Sequence, residues 1–308
     1  MEEGLIMRST GSWYEIRCQD GRILNGRLKG KFKLENKNFS NPIAVGDRVR
    51  FSLEDQQHET LIIEEILPRD NYIIRKSVHK TGQGQLLAAN IDQLLFVYSH
   101  KFPETSLGFL DRMLVTAEAF RIPVTIIFNK MDLLEEDETQ EVGCLADLYE
   151  SLGYDYILTS ADENWGLDQV EKVILGKVSL LAGHSGVGKS SLMNKFNPNL
   201  KIKTQEISDF AQKGKHTTTY ATMWELKENS FVIDSPGIKE LGILEIEDAE
   251  LSHYFPEFRE LMGECKFNNC RHLEEPKCAV VEALKQGKIA ESRYLSYLSI
   301  LENDDNRR

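Results

Sequence analysis

Residues 183–190 read Gly-His-Ser-Gly-Val-Gly-Lys-Ser, a glycine-rich turn that ends in a lysine and a hydroxyl. That spacing suits a loop wrapped around phosphates. The glycines let backbone N–H groups turn inward, Lys189 can reach the β- and γ-phosphates of a nucleoside triphosphate, and Ser190 can bind Mg²⁺. An apolar run, Val178–Leu181, precedes the loop, and a helical pattern, Ser191–Phe196, follows it. A strand before and a helix after separate a phosphate loop from a chance glycine-rich turn, and the helix N-terminus adds a partial positive charge. The predicted phosphate contacts are Gly183, His184, Ser185, Gly186, Val187, Gly188, Lys189, Ser190 and Ser191.

Downstream, Asp234-Ser235-Pro236-Gly237 follows the apolar run Phe231–Ile233. A carboxylate at the end of a strand can hold the Mg²⁺ shell, and Gly237 can turn a backbone N–H toward the γ-phosphate. Alone this pattern is common; at this distance behind a phosphate loop it is specific. Between the two motifs lies the polar stretch Lys213–Thr219, where a hydroxyl such as that of Thr218 can complete the Mg²⁺ shell. The residue after Gly237 is Ile238, where many nucleotide hydrolases place a water-orienting glutamine. Slow intrinsic hydrolysis, or a group from elsewhere, should follow. His216 is the candidate group, so Lys189, His216, Thr218, Asp234 and Gly237 form the predicted catalytic set.

The base-reading motif is Asn129-Lys130-Met131-Asp132, after the apolar run Val124–Phe128. The carboxylate of Asp132 can accept from guanine N1–H and the 2-amino group together. Adenine has neither donor there and would leave a desolvated charge unpaired. Asn129 would orient the loop, Lys130 would lie over the ring, and backbone N–H groups of Ser160 and Ala161 can meet guanine O6. A kinase or ATPase is the competing enzymatic reading, and Asp132 argues against it. A passive RNA-binding module is a third, and the intact Lys189, Ser190 and Asp234 argue against that.

These loops need one sheet edge to bring them together. Leu94–Tyr98, Val124–Phe128, Tyr156–Leu158, Val178–Leu181 and Phe231–Ile233 are short apolar runs that alternate with helical patterns around Leu110–Ala117, Val142–Leu152 and Leu167–Ile174. That alternation predicts a mostly parallel sheet with helices on both faces. The base-reading motifs precede the phosphate motifs, the reverse of the usual order. All the loops leave the same sheet edge, so a circular permutation of an α/β P-loop GTPase domain over 68–246 satisfies the pattern. Residues 1–67 instead read as short strands with turn signals at Asp20-Gly21 and Gly46-Asp47: Ser12–Cys18, Arg22–Leu28, Lys31–Glu35, Arg48–Leu53 and Thr60–Ile66. A small β-barrel is predicted, with the OB-fold among the topologies that fit. Residues 68–90 read as a linker or mobile loop, and the acidic run Glu135–Glu141 as a solvated helix start.

From 247 the chain turns helical around Cys265, Cys270, His272 and Cys278. Three thiolates and one imidazole make a complete tetrahedral Zn²⁺ set, which predicts one structural zinc per chain with no open position. The five cysteines, an odd number in 308 residues without a leader-like N-terminus, argue against a disulfide framework. No apolar run approaches a membrane span. A cytoplasmic monomer with no membrane partner is the expectation. The net charge of −12 speaks against nucleic acid, but residues 1–50 hold ten Lys/Arg against six Asp/Glu. Arg22, Arg27, Lys29, Lys31 and Lys33 are therefore candidate RNA contacts on the barrel.

Together, GHSGVGKS at Gly183–Ser190, HTTT at His216–Thr219, DSPG at Asp234–Gly237 and the Cys/His spacing resemble the ribosome-small-subunit-dependent GTPase A family (RsgA). The resemblance spans essentially the whole chain. It implies an N-terminal OB-fold RNA-binding barrel (1–67), a circularly permuted GTPase domain (68–246) and a C-terminal α-helical zinc-binding module (247–308). It also implies hydrolysis of GTP to GDP and phosphate during late maturation of the small ribosomal subunit, stimulated by that subunit and its rRNA.

Overall fold

A computed structural model of the chain describes residues 1–10, 12–29, 41–55, 59–76, 84–202, 221–234 and 246–302. The N-terminal barrel consists of β1 (Glu2–Ser9), β2 (Tyr14–Cys18), β3 (Ile23–Leu28), β4 (Arg48–Asp55) and β5 (Thr60–Ile66). Antiparallel pairing runs β1-β2-β3, β3 pairs with β5 in parallel, β5 pairs with β4, and β4 returns to β1 through Leu5↔Arg48 and Glu2↔Phe51. The parallel β3–β5 contact and the β1–β4 closure are the OB connectivity. Alternate side chains turn inward, and Ile6, Ile16, Val49, Phe51 and Ile63 are each at most 3% exposed. Strand β1 was not anticipated, because the Glu-Glu-Gly start hides its alternation. The expected strand Lys31–Glu35 lies outside the described residues.

The linker expected over 68–90 is overturned. β6 (Tyr72–Lys76) and β7 (Gly84–Ala89) form an antiparallel hairpin. Its apolar residues justify the ordering: Ile73, Leu87 and Ala88 enter the main core, while Ile74 and Leu86 pack with Ala44 and Ala89. A guanidinium–carboxylate pair holds its approach to the barrel. Arg69 donates to both oxygens of fully buried Asp47 at 2.6 and 2.7 Å and to the Pro42 carbonyl at 2.8 Å.

The central domain is built on β8 (Gln93–Tyr98), β9 (Val124–Phe128), β10 (Asp155–Leu158), β11 (Val178–Ala182), β12 (Thr222–Lys227) and β13 (Ser230–Asp234). Their spatial order is β10-β9-β8-β11-β13-β12; all are parallel except β12, which joins β13 antiparallel. Strand β8 shows why the sheet needs cover on both sides. Leu94, Phe96 and Tyr98 face one core with α1 (Leu107–Phe120) and α2 (Glu136–Ser151), whereas Leu95 and Val97 face another with α3 (Leu167–Ile174) and α4 (Lys189–Phe196). Ser106 caps α1 by accepting from the Phe109 N–H at 3.3 Å, and the Glu138 carboxylate reaches back to the Glu135 N–H at 2.8 Å to open α2. The acidic run Glu135–Glu141 is thus a helix start. Strand β12 also pairs with β1 at Arg8↔Thr222, so barrel and central domain share one eleven-stranded sheet.

The C-terminal module contains α5 (Pro256–Arg259), α6 (Ala279–Lys285) and α7 (Glu291–Leu301) around Phe255, Phe258, Val280 and Tyr297. It docks on α1, whose Val115 joins that core. At the junction Arg293, fully buried, donates to Asp111 at 2.6 Å and to Glu257 at 2.7 and 3.2 Å. Burial alone would lower the Arg293 guanidinium; the Asp111 and Glu257 charges outweigh it and hold it well above the usual arginine value. Removing one partner of such a buried pair leaves an uncompensated charge, at a cost of about 3–5 kcal/mol.

Candidate functional site

The C-terminal ends of β8, β9, β10, β11 and β13 release their loops at one edge. There a cavity of ≈ 200 Å³ is lined by Asn129, Lys130 and Asp132 from one motif, Ala161 and Asp162 from a second, and Ser185, Gly186, Gly188, Lys189, Ser190 and Ser191 from a third. Motifs far apart in sequence therefore meet in one hollow.

The phosphate loop has backbone that only glycine tolerates. Gly188 has φ +105°, and a Cβ there would lie 2.2 Å from Nδ2 of Asn129; Gly183 has φ +139°, and a Cβ there would lie 2.5 Å from the Val97 carbonyl. Lys189, 6% exposed, donates from Nζ to the carbonyls of Gly183 at 2.8 Å and His184 at 2.6 Å, which holds the ammonium at the loop itself. Ser190 is buried in the first turn of α4. The His184 ring stacks on Phe109, centroids 4.3 Å apart. Asp234 ends β13 in register with Leu181, two residues before the loop begins. His216, Thr217–Thr219, Ser235–Gly237 and Ile238 lie outside the described residues.

Asn129 is 3% exposed and ties the base-reading motif to the other loops. Its Nδ2 donates to the Val187 carbonyl at 2.8 Å, while Oδ1 accepts from Thr159 Oγ1 at 3.1 Å and from the Ala161 N–H at 3.2 Å. Sequence reasoning foresaw an orienting role for Asn129 but not this bridging. The backbone N–H groups of Thr159 and Ser160 are engaged by the Phe128 and Trp165 carbonyls, which leaves Ser160 no amide for the expected O6 contact; of Thr159, Ser160 and Ala161, Ala161 lines the cavity. Lys130 adopts left-handed backbone, φ +67°, and its ammonium donates to the Phe102 carbonyl. Burial pushes its pKa down, against the opposing pull of Asp162 and Asp132. Asp132 is exposed at the rim of the cavity.

The second cluster joins Cys265, Cys270, His272 and Cys278, whose ligand atoms all lie within 4.8 Å of one another. Nδ1 of His272 stands 3.6 Å from Sγ of Cys265 and 3.5 Å from Sγ of Cys278. Backbone N–H groups of Ala279 and Val281 point at the Cys265 and Cys278 sulfurs, at 3.3 and 3.5 Å. Burial and neighbouring thiols push Cys270 up to about 12, and burial lowers the His272 imidazole, keeping it neutral as a ligand must be. Four donors converging this closely, with N–H groups aimed at sulfur, are the chemistry of a metal centre.

The barrel does not present its predicted cations freely. Arg22 pairs with Asp20 and Glu59 at 2.7 and 3.0 Å, Arg27 with Glu54 at 2.5 Å and Lys29 with Glu64 at 2.7 Å. Residues 51–67 hold five acidic residues and no Lys or Arg, which brings 1–67 to a net charge of −1. Lys31 and Lys33 lie outside the described residues.

Residues 66–244 match the RsgA GTPase family and residues 3–61 the RsgA N-terminal domain. The small ribosomal subunit biogenesis GTPase RsgA of Cytophaga hutchinsonii is 52% identical over 306 residues, covering 99% of this chain and 100% of that protein. Among solved structures, YjeQ from Thermotoga maritima is 35% identical with a TM-score of 0.79, covering 100% of this chain and 99% of that one. YloQ, described as a circularly permuted GTPase, is 30% identical with a TM-score of 0.72, covering 100% and 96%. A phosphate loop and the Asn129–Asp132 loop at one edge of a permuted sheet, followed by a Cys₃His cluster in a helical module, thus sit in a chain that belongs to the RsgA GTPase family.

Proposed function

We infer that the chain hydrolyses GTP to GDP and phosphate as a late-acting assembly factor of the small ribosomal subunit, with turnover stimulated by that subunit. The observation that carries this is the one cavity shared by Asn129, Lys130, Asp132 and Ala161 with Gly186 and Gly188–Ser191. Asp132 reads the guanine N1–H and 2-amino edge from the rim. The Ala161 N–H, whose bond to Asn129 is a long one at 3.2 Å, is the donor that O6 can recruit. Lys130 lies along the ring with its ammonium anchored on Phe102. Lys189 meets the β- and γ-phosphates, and Ser190, Thr218 and Asp234 hold Mg²⁺, which neutralises charge developing on the transferred phosphoryl group. Gly237 and His216 complete the catalytic set, His216 in place of the glutamine that Ile238 displaces.

The three functional units on this reading are 1–67, 68–246 and 247–308. Cys265, Cys270, His272 and Cys278 hold one structural Zn²⁺, the metal that a closed thiolate–imidazole set favours. The protein works as a cytoplasmic monomer. Its barrel contacts rRNA through Lys31 and Lys33 and through Arg22, Arg27 and Lys29. The last three sit in exposed ion pairs, which are weak enough for RNA phosphate to displace. GTP turnover measured with and without purified small subunits tests the proposal: stimulation supports it, and identical rates in both arms refute it.

A further inference from the structure

The phosphate loop and the C-terminal module grip opposite faces of one helix. Phe109, 1% exposed, stacks under His184, whose carbonyl takes the Lys189 ammonium at 2.6 Å. Two residues along α1, about 200° around a helix of 3.6 residues per turn, buried Asp111 accepts from Arg293 at 2.6 Å and from the Tyr149 hydroxyl at 2.8 Å. Arg293 also lies over the Phe255 ring at 4.7 Å and holds Glu257, so it is anchored in the module as well as on α1. Its neighbour Tyr294 donates to the His272 carbonyl at 2.8 Å. A series of buried and half-buried contacts, joined through α1 and α7, therefore runs from the phosphate-binding lysine to a residue of the Cys₃His cluster.

We propose that Phe109 and the Asp111–Arg293 pair are positioning residues for the phosphate loop, through which the C-terminal module sets nucleotide affinity and nucleotide binding steadies the module. The proposal rests on the phosphate-loop reading of residues 183–190. A helix clamped on one face by a buried ion pair presents Phe109 to His184 in one place. Release of that clamp lets the ring, the His184 carbonyl and the ammonium shift together. Coupling between sites is reciprocal, so a module that tightens the loop must itself be tightened when the loop is filled.

The test uses the full chain. GDP affinity of the wild type, by calorimetry, checks the nucleotide reading by itself; a chain that binds no guanine nucleotide overturns that reading, and the coupling with it. With binding established, Phe109→Leu keeps an apolar side chain in the core and removes the ring stack; it should weaken GDP by about fivefold or more. Arg293→Met should act in the same direction from the far side of α1. Because that variant can loosen the module outright, hydrogen exchange supplies the second measurement. Amides of residues 279–301 should exchange more slowly in wild type with GDP than without, and Phe109→Leu, at saturating GDP, should lose that difference while keeping its nucleotide-free exchange pattern. A merely structural role for Phe109 would not remove a GDP-dependent difference. Module exchange indifferent to GDP in the wild type, or a Phe109→Leu protein with wild-type affinity and the full GDP effect, overturns the coupling.

Discussion

Asn129→Ala isolates the polar bridge that holds three loops in one site. The side chain is buried and makes three hydrogen bonds, and alanine supplies none of them. The Val187 carbonyl, in a fully buried residue, loses its side-chain donor. Thr159 keeps a second acceptor, the Phe128 carbonyl at 3.3 Å, and the Ala161 N–H faces the cavity, where water can reach it. One stranded group at about 1–3 kcal/mol, with a smaller contribution from the other two, gives about 2–4 kcal/mol in all. The loss divides between stability and binding. If most falls on binding, GDP affinity drops by about 30- to 1000-fold, at tenfold for each 1.4 kcal/mol; if most falls on folding, the melting temperature drops by about 2–4 °C per kcal/mol. Calorimetry with GDP and a thermal melt of the same preparation measure both. Asn129→Asp sharpens the comparison, since it keeps an acceptor for Ala161 but sets a carboxylate oxygen against the Val187 carbonyl; it should be no better than alanine. An Asn129→Ala protein with GDP affinity within about twofold of wild type and an unchanged melt would show that the bridge organises nothing.

Asp132→Asn should weaken GTP by about 100-fold or more and leave xanthine nucleotide comparatively favoured, because an amide can donate to the 2-oxo group; calorimetry with both nucleotides decides it. Lys189→Ala should lower turnover by about 100-fold or more in a protein with wild-type circular dichroism, since the lost cation is aimed at transition-state charge. One equivalent of zinc is expected by elemental analysis, and Cys270→Ser should lose it and destabilise 247–308, read as protease sensitivity confined to that segment. Metal uptake must also release protons, because burial among thiols holds Cys270 up at about 12. Apparent metal affinity should therefore fall as pH falls, and a pH-independent affinity would contradict thiolate ligation. Small-subunit binding should be tighter with a non-hydrolysable GTP analogue than with GDP, and equal affinities by sedimentation would remove nucleotide control.

The parts of the site legible from sequence were those whose chemistry fixes spacing. Gly183–Ser190 needed a strand before it and a helix after it, and β11 and α4 supply them. Asn129 and Asp132 were expected beside the phosphate loop and do line its cavity, yet the bonds from Asn129 to Val187 and Ala161 were not legible, since nothing local marks residues 58 and 32 positions away. The hairpin β6–β7 was missed because the polar stretch between its strands dominates the composition, while its apolar residues find partners only in tertiary structure. Cation counting misjudged the barrel for a related reason. Arg27 and Lys29 meet Glu54 and Glu64 across strands, so charge summed along the chain overstated charge on the surface. The Arg293 ion pair left no sequence signal at all, with 182 positions between its ends.

The single sheet through barrel and central domain has a practical consequence for deletion experiments. Of the central sheet's two ends, β10 is only four residues long and starts with an aspartate, which makes it a poor template for another chain. The other end, β12, is six residues long and meets β1 at its first residue, in the pair Arg8↔Thr222. Cutting away residues 1–67 would bare the Thr222 end of β12, where unpaired backbone N–H and C=O groups invite edge-to-edge association. Arg17, which grips Glu225 at 3.2 and 2.9 Å, would leave with the barrel. A truncated protein would thus lose the barrel's outer surface and gain a self-adhesive edge in the same step. Point substitutions on the barrel's outer face keep that seam shut and separate the two effects.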